Sequence, residues 1–259
     1  MTGTHRTLID SNDLTARPQP TVILSNPQMG ENIGAAARAM LNCGLAHMLL
    51  VNPRDGWPNE RAQAMSSGAL ELMPPVEVFD TLPAATSDHH YIYATTARPR
   101  DLVKPVFTPR AAAADMRERI AAGQKVAILF GAERAGLSND EVAQANAIIT
   151  IPLNPGFSSL NLGQSVLLVA YEWSQMLFEA PEKDLPTGKS RPATAEEFEN
   201  FFTRLENELS NRGFFRVDEM KETIARNIRS LFVRAEATDQ EIKTLHGIIS
   251  VLTGSKENR

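Results

Sequence analysis

The chain has 259 residues, 42% of them hydrophobic, and a formal net charge of −5. That size and apolar fraction suit a globular protein with a sizeable core, built as one large α/β domain or two smaller ones. There is no apolar run of membrane-spanning length, the opening stretch to Pro20 has no secretory h-region, and the single Cys43 excludes an internal disulfide framework and fits a reducing cytoplasm.

Residues 1–18 read as a mobile tail before the first strand. Apolar runs of strand length then recur at Thr21–Ser25, Met48–Asn52, Tyr91–Thr95, Val126–Gly131 and Ile148–Leu153, with a weaker one at Val76–Phe79. They are continuous rather than alternating, which suits strands covered on both faces. Helix signals fill the intervals. Asn32–Leu41 places Ile33, Ala37, Met40 and Leu41 on one stripe, and Pro109–Ala122 ends at Gly123, a good C-terminal stop. Ser138 with Glu141 spells a capping box, and Leu160–Phe178 is long and apolar. The alternation predicts a mostly parallel, doubly wound α/β sheet with helices on both faces over residues 19–179.

The pattern changes at residues 180–195, where Pro181, Pro186, Gly188 and Pro192 read as a linker. A small α-helical extension follows at 196–259. Thr194 and Glu197 form a second capping box, and Phe198, Phe201, Phe202, Leu205 and Leu209 fall on one helical stripe. Ile224, Ile228, Leu231 and Ala235 predict the next helix, and Ile242, Leu245, Ile249 and Leu252 a third. From Lys189 onward there are twelve basic and twelve acidic residues, so the extension is not basic overall.

Three strand-to-helix transitions carry the chemistry. Ser25–Met40 (SNPQMGENIGAAARAM) ends a strand, turns at Gly30 and starts a helix whose small first turn lets a backbone or a phosphate approach closely. It is neither a dinucleotide fingerprint nor a P-loop. Leu129–Glu141 (LFGAERAGLSNDE) puts Gly131, Glu133 and Arg134 at a strand's C-terminal end, where open α/β sheets place ligands. Ile151–Glu172 opens as a buried strand and passes through a loop holding Gly156, Ser158, Ser159 and Asn161 into an apolar helix. A fourth loop, Ala94–Arg98 (ATTAR), ends the same way. Loops of this kind on neighbouring parallel strands converge on one ligand. The five histidines show no metal-ligand spacing, so no metal site is expected.

NIGAAARAM, FGAERAGLS and IPLNPGFSSLNLGQSV, in that order over about Thr21–Glu179, resemble the SpoU/TrmH branch of the SPOUT RNA methyltransferases. The extension, through FFTRLENEL, IRSLFVRA and EIKTLHGI, is similar to that of the TrmJ subgroup. The resemblance implies a SPOUT fold with a C-terminal trefoil knot, S-adenosyl-L-methionine as cofactor, and a cytoplasmic homodimer whose site is completed across the interface. It implies a tRNA 2′-O-methyltransferase acting on cytidine or uridine at nucleotide 32 of the anticodon loop. Methylation of ribosomal RNA and a non-catalytic RNA-binding module are the alternatives. It assigns cofactor contacts to Thr95, Thr96, Ala97, Gly131, Ile151, Ser158, Ser159 and Leu160, and catalysis to Arg38, Asn32, Glu133 and Asn161. Asn32 is expected to orient Arg38 or a phosphate, while Glu133 and Asn161 hold the loops and the nucleotide. Ala132 and Gly163-Gln164 depart mildly from the family pattern.

Arg38 occupies the family's proposed base position, yet a guanidinium stays protonated at neutral pH. Either the substrate phosphate helps it to deprotonate transiently, or it stays charged, clamps the phosphate and stabilises the developing alkoxide; physical grounds favour the second. For RNA contact beyond the site, Arg98, Arg100 and Arg134 flank the loops. Arg226 and Arg229 are expected to face away from the Ile224–Ile228–Leu231 stripe.

Overall fold

The computed structural model describes residues 17–97, 102–177, 188–215 and 218–254. The chain falls into two compact units, Met1–Ala180 and Pro181–Arg259. No helix among the described residues is long and apolar enough to cross a membrane.

In chain order the first unit runs β1 (Thr21–Ser25), α1 (Gly30–Asn42), β2 (Met48–Val51), α2 (Glu60–Ser66), α3 (Ala69–Leu72), β3 (Glu77–Phe79), α4 (Leu82–Thr86), β4 (Tyr91–Thr95), β5 (Val106–Phe107), α5 (Pro109–Ala121), β6 (Val126–Phe130), α6 (Asn139–Gln144), β7 (Ala147–Ile149) and α7 (Leu162–Ser174). The strands make one seven-stranded sheet in the order β3-β2-β1-β6-β4-β7-β5. All six pairings are parallel, with Ile23 of β1 opposite Leu49 of β2 on one side and Leu129 of β6 on the other.

Burial explains why the strand runs are continuous. All five residues of β6 are buried. Val126, Ile128 and Phe130 enter one core with α1, α5 and α7, while Ala127 and Leu129 enter the opposite core with α4 and α6. A parallel sheet covered on both faces has no polar side to advertise. The expected strand at Ile148–Leu153 is shorter than its sequence suggests. The amide of Thr150 still bonds to Phe107, but β7 ends at Ile149, and Pro152 has no N–H to extend the ladder.

The small residues of α1 serve packing. A Cβ on Gly34 would lie 2.2 Å from the carbonyl oxygen of Ala62, so this glycine admits the backbone of α2 rather than a phosphate. A Cβ on Gly163 would lie 2.9 Å from that of Ala35, which brings α7 close to α1. The helix N-termini at the sheet's rim are thereby fixed relative to each other.

The second unit contains α8 (Ala195–Asn211), α9 (Asp218–Arg234) and α10 (Asp239–Thr253). Capping boxes Thr194–Glu197 and Thr238–Glu241 start α8 and α10. Phe201, Phe202, Ile242 and Ile249 are buried, with Phe198, Leu205, Phe232 and Leu245 packed around them. The stripe expected on α9 is rotated. Ile224 and Ile228 are half-buried as expected, but Phe232 completes the face, while Leu231 is 54% exposed and Ala235 is exposed. Leu252 at the end of α10 is also exposed. With this phase Arg229 does not face away: its guanidinium lies 4.9 Å from the Phe202 ring centre and pairs with Glu199 at 2.6 Å and Glu206 at 2.7 Å.

Candidate active site

Three loops leave the C-terminal ends of the adjacent strands β6, β4 and β7 and enclose a cavity of about 300 Å³. The first follows β4. Its backbone is anchored by Thr95, whose hydroxyl donates to the Leu129 carbonyl at 2.9 Å, and by the Thr96 amide, which donates to Ile149 at 3.1 Å. The second follows β6 and folds back on itself, the Gly136 amide donating to the Ala132 carbonyl at 2.8 Å. A Cβ on Gly131 would fall 2.3 Å from backbone atoms of Gly136 and Leu137, so glycine alone fits. The third runs from β7 through Ser158, Ser159 and Leu160 to Asn161, the N-cap of α7.

One hydrogen-bonded group joins these loops to α1. Glu133 accepts from the Gln28 amide at 2.8 Å, the Met29 amide at 3.2 Å and the Asn32 side chain at 2.8 Å. Met29 is the N-cap of α1 and its own side chain caps nothing, so a carboxylate from a distant loop sits at this helix start, where the dipole favours negative charge. Asn32 is 8% exposed and its carbonyl oxygen accepts from Asn161 Nδ2 at 2.7 Å. Asn161 in turn accepts from the Gly163 amide at 2.8 Å, and Gln164 closes the capping box. Both Asn32 and Asn161 thus have donor and acceptor in use, which locks their amides in one orientation.

All eight residues expected to contact a cofactor, Thr95, Thr96, Ala97, Gly131, Ile151, Ser158, Ser159 and Leu160, line the cavity. Glu133 and Arg134 line it as well; Asn32, Asn161 and Arg38 do not. Arg38 is exposed on α1, where Nη1 donates to Ser67 Oγ at 2.9 Å. Asn32 does not orient it, because that amide is committed to Glu133 and Asn161. Arg98 and Arg100 lie outside the described residues. Arg226 is exposed and pairs with Glu222 at 2.8 Å, one turn away on its own helix. Sequence reasoning missed Ser165 and Leu153 on the cavity wall, and Ser67 beside Arg38. Gly136, with φ of 65°, carried a readable turn signal; Ser67 carried none.

The lining residues carry five hydroxyls, on Thr95, Thr96, Ser158, Ser159 and Ser165, and an apolar side formed by Ile149, Ile151 and Leu162. Such a lining suits a small ligand with a flat apolar part and a polar tail.

A family model described as the SpoU rRNA methylase family matches residues 19–171. A second, for the C-terminal domain of the tRNA methyltransferase TrmJ, matches residues 196–259. The chain is 34% identical over 237 residues to the tRNA (cytidine/uridine/adenosine-2′-O-)-methyltransferase TrmJ of Pseudomonas aeruginosa, covering 88% of this chain and 91% of the relative. It is 33% identical over 232 residues to the tRNA (cytidine/uridine-2′-O-)-methyltransferase TrmJ of Yersinia pestis, covering 88% and 89%. The crystal structure of TrmJ from Z. mobilis ZM4 superposes with a TM-score of 0.79 at 47% identity, covering 90% of this chain and 99% of that one.

Proposed function

This chain belongs to the SpoU rRNA methylase family, and on that footing we propose that it is a tRNA 2′-O-methyltransferase using S-adenosyl-L-methionine. The observation that carries the reading is the cavity at the rim of β6, β4 and β7, walled by all eight residues that the family pattern assigns to the cofactor. Two findings choose tRNA over ribosomal RNA: the match of the second unit to the TrmJ C-terminal domain, and the names of full-length relatives. The target is the ribose of cytidine or uridine at nucleotide 32 of the anticodon loop, and the enzyme works in the cytoplasm.

The residues present fit the cofactor. Gly131 lets the loop after β6 close against its own backbone at Gly136 and Leu137, hydroxyls of Thr95, Thr96, Ser158, Ser159 and Ser165 belong to the lining residues, and the wall is apolar on one side at Ile149, Ile151 and Leu162. When bound, S-adenosyl-L-methionine supplies a methyl carbon activated by a positive sulfur. The chain has to align the ribose oxygen and manage its proton, and alignment alone accounts for several kcal/mol of barrier reduction. Glu133, Asn32 and Asn161 do this indirectly by holding the loops in register. Arg38 keeps its proton, grips a substrate phosphate with its fork of donors and stabilises the alkoxide as it forms, and the hydroxyl proton leaves late, to water or a neighbouring group.

In its own chain Arg38 lies off the cavity wall, which supports a site completed by a second copy. The exposed apolar residues Leu167, Leu168 and Tyr171 of α7 support the same homodimer. Mixing Arg38→Ala chains with Gly131→Val chains tests it: shared sites restore activity in the mixture, and sites within one chain leave it dead. The reaction itself is tested by incubating labelled S-adenosyl-L-methionine with tRNA and with ribosomal RNA and mapping the ribose methyl. Label confined to ribosomal RNA, or no label, overturns the reading.

A further inference from the structure

A second, larger cavity of about 1120 Å³ opens over the C-terminal ends of β1 and β2. It shares a wall with the first: Ala132, Ala135 and Gly136 line both. Its sides are apolar at Val51, Pro53, Leu82 and Pro83, and its edge carries the amides of Asn26 and Asn52.

These two asparagines are built into an unusual arrangement. Both hold left-handed backbone conformations, with φ of 49° at Asn26 and 45° at Asn52. Each is pinned there by its own amide, which donates to the neighbouring strand: Asn26 to Val51 at 2.8 Å and Asn52 to Phe79 at 2.9 Å. Their side chains are joined, Asn52 Nδ2 donating to Asn26 Oδ1 at 2.9 Å. Asn26 Nδ2 donates to Ser25 Oγ at 3.1 Å, and that buried hydroxyl donates to Glu141. The chain of bonds fixes which way each amide points and, among the described residues, leaves Oδ1 of the exposed Asn52 open as an acceptor.

The charges select the ligand. Arg54 is the one cation on this wall among the described residues, and its Nη2 is tied to the Gln28 carbonyl at 2.6 Å. Asp80, Asp140 and Glu141 line the cavity as well. Such a wall repels phosphate. It suits a planar, neutral heterocycle with apolar faces and a hydrogen-bonding edge, which is the description of an unstacked nucleobase. Carboxylates and an amide oxygen are acceptors, so the edge they favour carries an exocyclic amine, as in cytosine or adenine.

We propose that this cavity holds a nucleobase of the RNA substrate neighbouring the methylated nucleotide, seated against Pro53 and Pro83 and read by Asn52. The proposal rests on the methyl-transfer reading, and its test separates the two. Asn52→Asp and Asn52→Gly both tolerate the left-handed backbone, the first reversing the donor and adding charge, the second deleting the amide. Asn52→Gly is expected to raise KM for tRNA about tenfold, as one lost base contact does, and Asn52→Asp, which keeps an acceptor in that place, to raise it less, with the calorimetric affinity for S-adenosyl-L-methionine unchanged in both. In an anticodon stem-loop series with one abasic site at a time, wild type loses about the same factor at a single neighbouring position, where Asn52→Gly loses nothing more. Unchanged tRNA KM in Asn52→Gly, a parallel loss of S-adenosyl-L-methionine affinity, or equal abasic penalties at every position for both proteins overturns the subsite. Wild-type protein that transfers no methyl to tRNA instead overturns the functional reading beneath it.

Discussion

The cavity rim of the first unit and the helical second unit are held together by opposite means. At the rim, Glu133, Asn32 and Asn161 join segments far apart in the chain through directional hydrogen bonds, and Gly131 and Gly34 sit where no Cβ fits. In the second unit, stacked and edge-on rings of Phe198, Phe201, Phe202 and Phe232 supply the core, and ion pairs such as Arg229–Glu206 border it. Apolar packing tolerates adjustment as long as volume is kept, whereas a hydrogen-bonded rim is right or wrong within fractions of an ångström. The rim should therefore fail in function while the fold stands, and the helical unit should fail by melting.

Phe201→Ala tests the second half of that contrast most severely. The side chain is 1% exposed, and its removal should cost the helical unit about 3–5 kcal/mol. Loss of part of the helical circular dichroism is expected, with the heat of S-adenosyl-L-methionine uptake kept; equal loss of both would dissolve the contrast. Gly131→Val tests the first half. Its side chain would collide with the Gly136–Leu137 backbone, and a shift of that loop should lower turnover at least ~100-fold, with a fall in melting temperature no larger than overpacking of about 1–3 kcal/mol gives.

Glu133→Gln lies between the extremes. It keeps the shape but turns one acceptor into a donor facing the amides of Gln28 and Met29 or the side chain of Asn32, at about 2 kcal/mol. Weaker cofactor binding should accompany a modest fall in melting temperature. A smaller effect separates two arginines. Arg226 pairs within its own helix, so Arg226→Ala should lower the log–log salt slope of tRNA binding by about one if it meets a phosphate. Arg229 is held by two glutamates over a ring, so Arg229→Ala should lower the melting temperature and leave the slope alone.

The mildest probe is pH. Bonds from Arg191 and from the Thr194 amide hold the half-buried Glu197 carboxyl down at about 2, against an ordinary 4.5. A depressed carboxyl stabilises the folded state fully above the ordinary value and loses that contribution as pH falls toward about 2. The helical unit should then loosen between about pH 4.5 and 2, while Glu197→Gln flattens the dependence across that window.

The rim loops were legible in the sequence because their physics is local. Gly131 after a buried strand, Ser158 and Ser159 before an apolar helix, and the Thr pair after Ala94 each announce a turn at a strand's end. What the glycines admit was less legible: Gly34 signalled close approach without saying that α2 was the neighbour. Phase was the weak point in α9, where Leu231 and Phe232 are both apolar and differ by one position, about 100° around the helix. Choosing Leu231 turned Arg229 to the wrong side. The two-residue β5 and the short α2, α3 and α4 are below the length at which periodicity speaks. Glu133 and Asn161 each marked a strand or helix end, but nothing local showed that they meet at Asn32, since the three come together only in the folded chain.

Those members are separated by 101 positions between Asn32 and Glu133 and by 129 between Asn32 and Asn161. A nascent chain on the ribosome therefore cannot assemble the pocket until Asn161 has emerged, long after β1 and α1 have left the exit tunnel. Cofactor capture becomes a checkpoint on maturation, and any ligand that prefers the finished pocket adds its binding free energy to the native state. A cell starved of its methyl donor would hold a less heat-resistant population of this protein, with no change in how much is made.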